Sequence, residues 1–270
     1  MESHDQDYLQ NDQYKTAANL TSRIDLHKSF STNPYGWFRW TFDQLELPQD
    51  ASVLELACGR GDLWHENLSR IPESWDLTLT DLSDGMLEEA RTRLAPVSRR
   101  IKFCQADIQY IPFADRSFDA VIADHMLYYV SDKPQAFREV GRVLKPEGSF
   151  FTTTVGERHL QELTDLIRQF HPEVTNLTFD SRDLDFLLEN GSAQLEPFFG
   201  EVELRRYEDS LFITHAEPLI QYINSGGARD GLRNREAELS VFIVMKIRQQ
   251  GGISIYKDSG IFIARKGGRH

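Results

Sequence analysis

From Ala51 onward, short apolar runs alternate with stretches that carry apolar residues at helical spacing, and this alternation constrains the chain more than any other feature. It specifies successive βαβ units and a largely parallel sheet, because parallel neighbours need a crossover long enough to hold a helix. The strand signals are Ser52–Leu56, Asp76–Thr80, Ile101–Gln105, Phe118–Ala123 and Ser149–Thr154. Helical patterns lie between them near Asp62–Ser69, Gly85–Leu94 and Pro134–Leu144. In the last of these Pro134 suits a first helical turn, and Phe137, Val140, Val143 and Leu144 make one apolar face. The turn Lys145-Pro146-Glu147-Gly148 is expected to stop this helix before the fifth strand.

After Thr154 the pattern changes. Helices are expected over His159–Phe170 and Arg182–Glu189, then a long strand over Val202–Thr214, helices over Glu217–Asn224 and Asn234–Arg248, and a terminal pair of short strands, Ile253–Tyr256 and Gly260–Arg265. Before the first strand, a polar arm gives way to a helical pattern through Leu20, Ile24 and Leu26 and then to an aromatic cluster. This reading divides the chain into an arm with cap helices over residues 1–45 and one α/β domain over 46–270. The helical insert at about 156–199 and the helices at about 216–250 are placed as a lid over a ligand site.

Composition narrows the partners. A net charge of −12 disfavours non-specific attraction to nucleic acid or to an anionic membrane. No apolar run approaches the roughly 18 residues that suggest a membrane span, and Met1–Gln10 has neither a basic start nor an apolar stretch. Cys58 and Cys104 are too few for a disulfide framework or a zinc cluster. The expectation is a cytoplasmic protein with no metal, no nucleic-acid partner and no membrane partner.

The strongest local signal is Val53-Leu54-Glu55-Leu56-Ala57-Cys58-Gly59-Arg60-Gly61-Asp62, an apolar strand running into a glycine turn that opens a helix. Gly59 and Gly61 let the backbone turn sharply and approach a ligand. Dinucleotide-binding proteins share a bare Gly-x-Gly, but the third glycine of their fingerprint would fall at Trp64, too bulky for a pyrophosphate seat. Asp81 ends the second strand about twenty residues after the turn, where a carboxylate can accept from ribose hydroxyls. Asp107 ends the third strand and can accept from an adenine amine, with Ile108 on one ring face and Met86 on the other. His125 follows the fourth strand beside Asp124, at the carboxyl end where such sheets bind ligands, and is the best placed general base.

VLELACGRG, LTLTDLSDGML, CQADIQYIPF, SFDAVIADHMLYYV and REVGRVLKPEGSFFTTT, in that order, resemble the successive motifs of class I S-adenosylmethionine-dependent methyltransferases, in particular the small-molecule group that includes ubiquinone and menaquinone methylases. The resemblance covers about Ser52–Thr154. It implies a Rossmann-like, seven-stranded, mostly parallel sheet with helices on both faces and its last strand antiparallel. It implies S-adenosyl-L-methionine as cofactor and a small-molecule methyl acceptor as partner. Glu55, Ala57, Gly59 and Gly61 would line the methionine and ribose moieties, Asp81 and Leu82 the ribose and adenine, Asp107 and Ile108 the adenine, and the Ala123 and Asp124 backbone the methionine ammonium. Arg23 or a backbone N–H of the glycine turn would meet the methionine carboxylate. Tyr14, His27, Trp37, Trp40, Tyr128, Tyr129 and His215 are the acceptor-pocket residues suggested by position. A non-catalytic S-adenosylmethionine-binding module and a nicotinamide-dependent oxidoreductase stay open as alternatives.

Overall fold

The computed structural model describes residues 18–174, 184–225, 232 and 235–267. Strands β1 (Ser52–Leu56), β2 (Asp76–Asp81), β3 (Ile101–Gln105), β4 (Phe118–Ala123), β5 (Leu144–Val155), β6 (Glu201–Ile213) and β7 (Ile253–Arg265) form one sheet in the order β3-β2-β1-β4-β5-β7-β6. The first five pair in parallel, and β7 runs antiparallel between β5 and β6. Strand order reverses between β1 and β4, so a crevice opens at their carboxyl ends, where open α/β sheets bind ligands.

The alternation of side chains along the strands separates two cores. Leu54, Leu56, Val121, Ala123 and Phe150 face Phe137 and Val140 of a helix at Lys133–Val143, while Val53, Leu77, Ile122 and Phe151 face Leu63, Trp64 and Leu87 on the other side. With helices numbered in chain order, this first one named is α5. Those before it are α1 (Ala18–Phe30), α2 (Trp37–Asp43), α3 (Asp62–His65) and α4 (Asp84–Arg93); those after it are α6 (Gln161–Phe170), α7 (Gly191–Leu195), α8 (Ala216–Asn224) and α9 (Glu236–Gln250). A third core joins Leu26 of α1, Leu163 and Ile167 of α6, Ile223 of α8 and Ile243 of α9 to the far ends of β6 and β7.

Four expectations are corrected. The terminal pair of short strands is one strand of 13 residues, because Lys257, Asp258 and Ser259, which read as a turn, are buried in the ladder opposite Asp209, Glu208 and Tyr207. The Lys145–Gly148 stretch lies inside β5, and Leu144 already pairs with Phe118 across a register shift. The helix after the glycine turn spans only Asp62–His65 before breaking into turns. Leu184–Asn190 is irregular, and the helix of this region, α7, comes later; Arg182 and Asp183 lie outside the described residues.

Candidate functional site

The glycine turn is held open by local geometry. Ala57, Gly59 and Gly61 all have positive φ (54°, 54° and 74°), a conformation costly for the alanine and free for the glycines. At Gly61 a side chain is excluded as well, since a Cβ there would sit 2.9 Å from Leu94 Cδ1. Arg93 of α4 donates to Arg60 O and Asp62 Oδ1, and Arg60 to Asp62 Oδ2, tying the turn to the next helix.

Four carboxylates border this turn from four strand ends. Asp81 Oδ2 accepts the Gly59 N–H at 2.9 Å and its Oδ1 the Ser83 N–H at 2.8 Å, so the residue that ends β2 also shapes the bend after β1. Burial raises its pKa, opposed by those amides. Glu55 is fully within the protein, and the only hydrogen bond to its carboxylate among the described residues comes from Trp64 Nε1 at 2.5 Å. Burial drives its pKa well above the ordinary carboxylate value, the Trp64 bond opposes this, and Asp124 and Asp81 add to it. Asp107 accepts from the Gln109 backbone, and Asp124 accepts from Thr153 Oγ1. Met86 is buried on α4, where its N–H bonds the Ser83 cap, and Ile108 is buried below Asp107. Leu82 is half-buried, its carbonyl taken by Gln105. The side chains named for the donor, Arg23 excepted, thus gather at the carboxyl ends of β1–β4. Arg23 instead donates to Ser225 O at the end of α8.

A second group of side chains meets beside the end of β4. His125 has φ 50° and donates its N–H to Thr153 Oγ1 at 2.9 Å, a strained backbone at a ligand-facing strand end. Its ring lies 5.2 Å from Trp37, which lies 5.4 Å from both Trp40 and Tyr207. His27 lies 6.4 Å from His159 and 5.7 Å from Tyr222. Burial lowers the pKa of all three histidines, to about 3 for His159, and nearby Lys257 lowers each further. Tyr128 and Tyr129 pack edge to face at 4.6 Å, with Tyr128 against the α5 core. His215 stands apart, exposed and bonded to its neighbour Thr214. Tyr14 lies outside the described residues.

Sequence reasoning passed over Lys257, Asp209, Tyr207 and His159. Lys257 and Asp209 face each other across β7 and β6 as a buried ion pair. Nothing local sets them apart, since β6 also carries Glu201, Glu203, Arg205, Arg206 and Glu208, and Lys257 stands beside Asp258. Trp64 was noticed for the ligand it excludes, not for the Glu55 it holds.

Residues 53–148, the segment that builds this turn and these strand ends, match the family model described as "Methyltransferase domain". Among curated proteins, the chain is 39% identical over 114 residues to the ubiquinone/menaquinone biosynthesis C-methyltransferase UbiE of Hahella chejuensis, covering 42% of this chain and 46% of that protein. The chain spans about half the length of the curated relatives it matches. Among solved structures, phosphoethanolamine N-methyltransferase 2 of Haemonchus contortus, in complex with S-adenosyl-L-methionine, superposes with a TM-score of 0.61 at 18% identity, covering 99% of this chain and 60% of that one. The YcgJ protein of Bacillus subtilis superposes at 0.57 with 16% identity, covering 85% and 97%. At such identity these structures bear on the fold, which is the Rossmann-like, seven-stranded sheet of methyltransferases. Of the aromatic and histidine group, His125, Tyr128 and Tyr129 lie in the matched segment, and the other side chains come from chain on either side of it.

Proposed function

We propose that the protein is an S-adenosylmethionine-dependent methyltransferase that modifies an oxygen, nitrogen or carbon atom of a small-molecule metabolite. The observation that carries this reading is the set of carboxylates, Glu55, Asp81, Asp107 and Asp124, around a glycine turn at the carboxyl ends of four adjacent strands. A ligand with a sulfonium, an ammonium and a ribose suits that set, and a pyrophosphate does not.

The residues fit the cofactor on their own chemistry. Glu55 is a buried acid whose one hydrogen-bond donor is neutral, so it lacks the cation that would stabilise its charged form. Trp64 fills the position where a dinucleotide site needs glycine and is itself fully buried. When bound, S-adenosylmethionine supplies an activated methyl group. Glu55 and the Asp124 backbone would face its ammonium, Asp81 its ribose hydroxyls, and Asp107, Ile108 and Met86 its adenine. Arg23 is engaged by Ser225, and the Gly59 and Gly61 amides by Asp81 Oδ2 and Cys58 O, so a donor to its carboxylate would have to be released from one of these bonds.

Alignment and exclusion of water supply most of the rate in such a transfer, worth up to about 7–11 kcal/mol where geometry is good. Trp37, whose ring lies 5.2 Å from that of His125 at a tilt of 35°, would help to exclude water at the end of β4. His125 is held neutral by burial and can take a proton from the acceptor if that atom carries one. The two named relatives act on different acceptors, so the methylated atom is not carried over from either.

Calorimetry with S-adenosylmethionine, S-adenosylhomocysteine and NAD tests the donor, and release of S-adenosylhomocysteine with a metabolite panel tests the transfer. Binding of the first two without NAD is the expected result. NAD binding with no affinity for the sulfonium donor overturns the reading.

A further inference from the structure

The group of side chains beside β4 has a surplus of hydrogen-bond donors. Tyr207 is 3% exposed, and its hydroxyl has no hydrogen-bond partner among the described residues, although the Gly36 backbone lies near its oxygen. Trp37 Nε1 and His27 Nδ1 are likewise buried without a partner. An indole N–H can only donate, and a neutral imidazole and a phenol can both donate. Lys257 Nζ, which carries three hydrogens, gives one bond to Asp209 and lies 5.8 Å from the centre of the Tyr207 ring.

The Asp209 carboxylate and one histidine acceptor here are already engaged. Asp209 Oδ2 takes Lys257 and Ser31 Oγ, and Oδ1 takes the N–H groups of Asn33 and Ser210. His159 Nδ1 accepts the Asp258 N–H at 3.2 Å. Buried polar groups without partners are uncommon, and several converging on one place mark where a ligand completes the set. The donor end of the crevice is acidic, whereas at this end the carboxylates of Asp209 and Asp258 are taken up by Lys257 and Arg206.

We propose that the methyl acceptor carries an anionic oxygen group, a carboxylate or a phosphate, received by Tyr207, Trp37, His27 and Lys257, with its reacting atom directed toward His125. The inference rests on the methyltransferase reading for the role of that atom, and on the unpartnered donors alone for the anion. Tyr207 and Trp37 set the acceptor's charge, and the aromatic faces of Trp37 and Trp40 favour a flat body behind it.

The test titrates benzoate, phenyl phosphate and the neutral isostere benzamide into the full chain, alone and saturated with S-adenosylhomocysteine, by calorimetry. One of the two anions is expected to bind at least tenfold more tightly than benzamide, and which one does so separates carboxylate from phosphate. Tyr207→Phe and Trp37→Phe are expected to weaken that anion tenfold or more while leaving S-adenosylhomocysteine affinity unchanged. Tyr207→Phe removes only an unpartnered hydroxyl and keeps the ring, so its melting temperature should equal or exceed that of the parent, which a purely structural role would not give. Equal affinity for benzamide and both anions, or an anion affinity indifferent to both substitutions, overturns the proposal. Anion binding without any S-adenosylhomocysteine binding keeps this site and sinks the methyltransferase reading instead.

Discussion

Two acids explain how a cationic ligand would be felt by the free protein. Glu55 and Asp81 both titrate above their ordinary range because burial favours the neutral form. A cation placed beside Glu55 favours the carboxylate, so binding expels a proton whenever the free protein holds one. Affinity for S-adenosylmethionine therefore rises with pH until Glu55 is ionised in the free state and levels off above that, an outcome readable by calorimetry in buffers of different ionisation enthalpy. Trp64→Phe deletes the one hydrogen bond that opposes this shift, so the plateau should move to higher pH and affinity at neutral pH should fall. Asp81→Ala removes the acceptor of the Gly59 and Ser83 amides and, on the proposed reading, of the ribose. With each charge-assisted bond worth about 1.5–3 kcal/mol, S-adenosylhomocysteine affinity should drop by at least about tenfold; unchanged affinity in calorimetry contradicts the assignment.

At the scale of elements, β7 is the informative strand. Gly260 sits at its centre because a Cβ there would lie 2.7 Å from the Arg205 carbonyl of β6. Gly260→Val should cost about 1–3 kcal/mol through forced displacement of the paired strand, measured as a lower denaturation midpoint in urea. The same strand shows where sequence reasoning reaches its limit. β1, β3 and β4 have the ends expected from their apolar runs, since each run is bounded by the residues that leave the sheet. Lys257-Asp258-Ser259-Gly260 has the composition of a turn, and only the partners waiting on β6 and in the adjoining loops, Asp209 for Lys257 and Arg206 for Asp258, make it strand. The carboxylates around the glycine turn were legible because they fall at fixed offsets after consecutive strands. The group beside β4 was only partly so: Trp37, His27 and His125 stood out by type and position, whereas Tyr207, His159 and Lys257 acquire meaning from pairings between distant parts of the chain.

For the molecule as a whole, Asp209 connects the sheet to the segment that follows α1. Its carboxyl is buried, which raises its pKa, but hydrogen bonds from Lys257 and Ser31 outweigh this and hold it below the ordinary value. A depressed acid adds stability above its unfolded pKa, and that contribution is lost as pH falls through the folded value. Acidification below about pH 4 should therefore loosen this segment, seen as faster proteolytic cleavage near Ser31–Tyr35. Asp209→Ala, which strands a buried ammonium, should cost about 3–5 kcal/mol at neutral pH, checked by chemical denaturation.

One carboxylate thus clasps both Lys257 in the sheet and Ser31 and Asn33 in the segment that leads to Trp37. Loss of that carboxylate frees both at once, leaving the bonds of Thr32 to Ser210 and of Asn33 to Glu208 to pin the segment to β6. A change at Asp209 would thus reach Trp37 along the chain, without touching the indole itself.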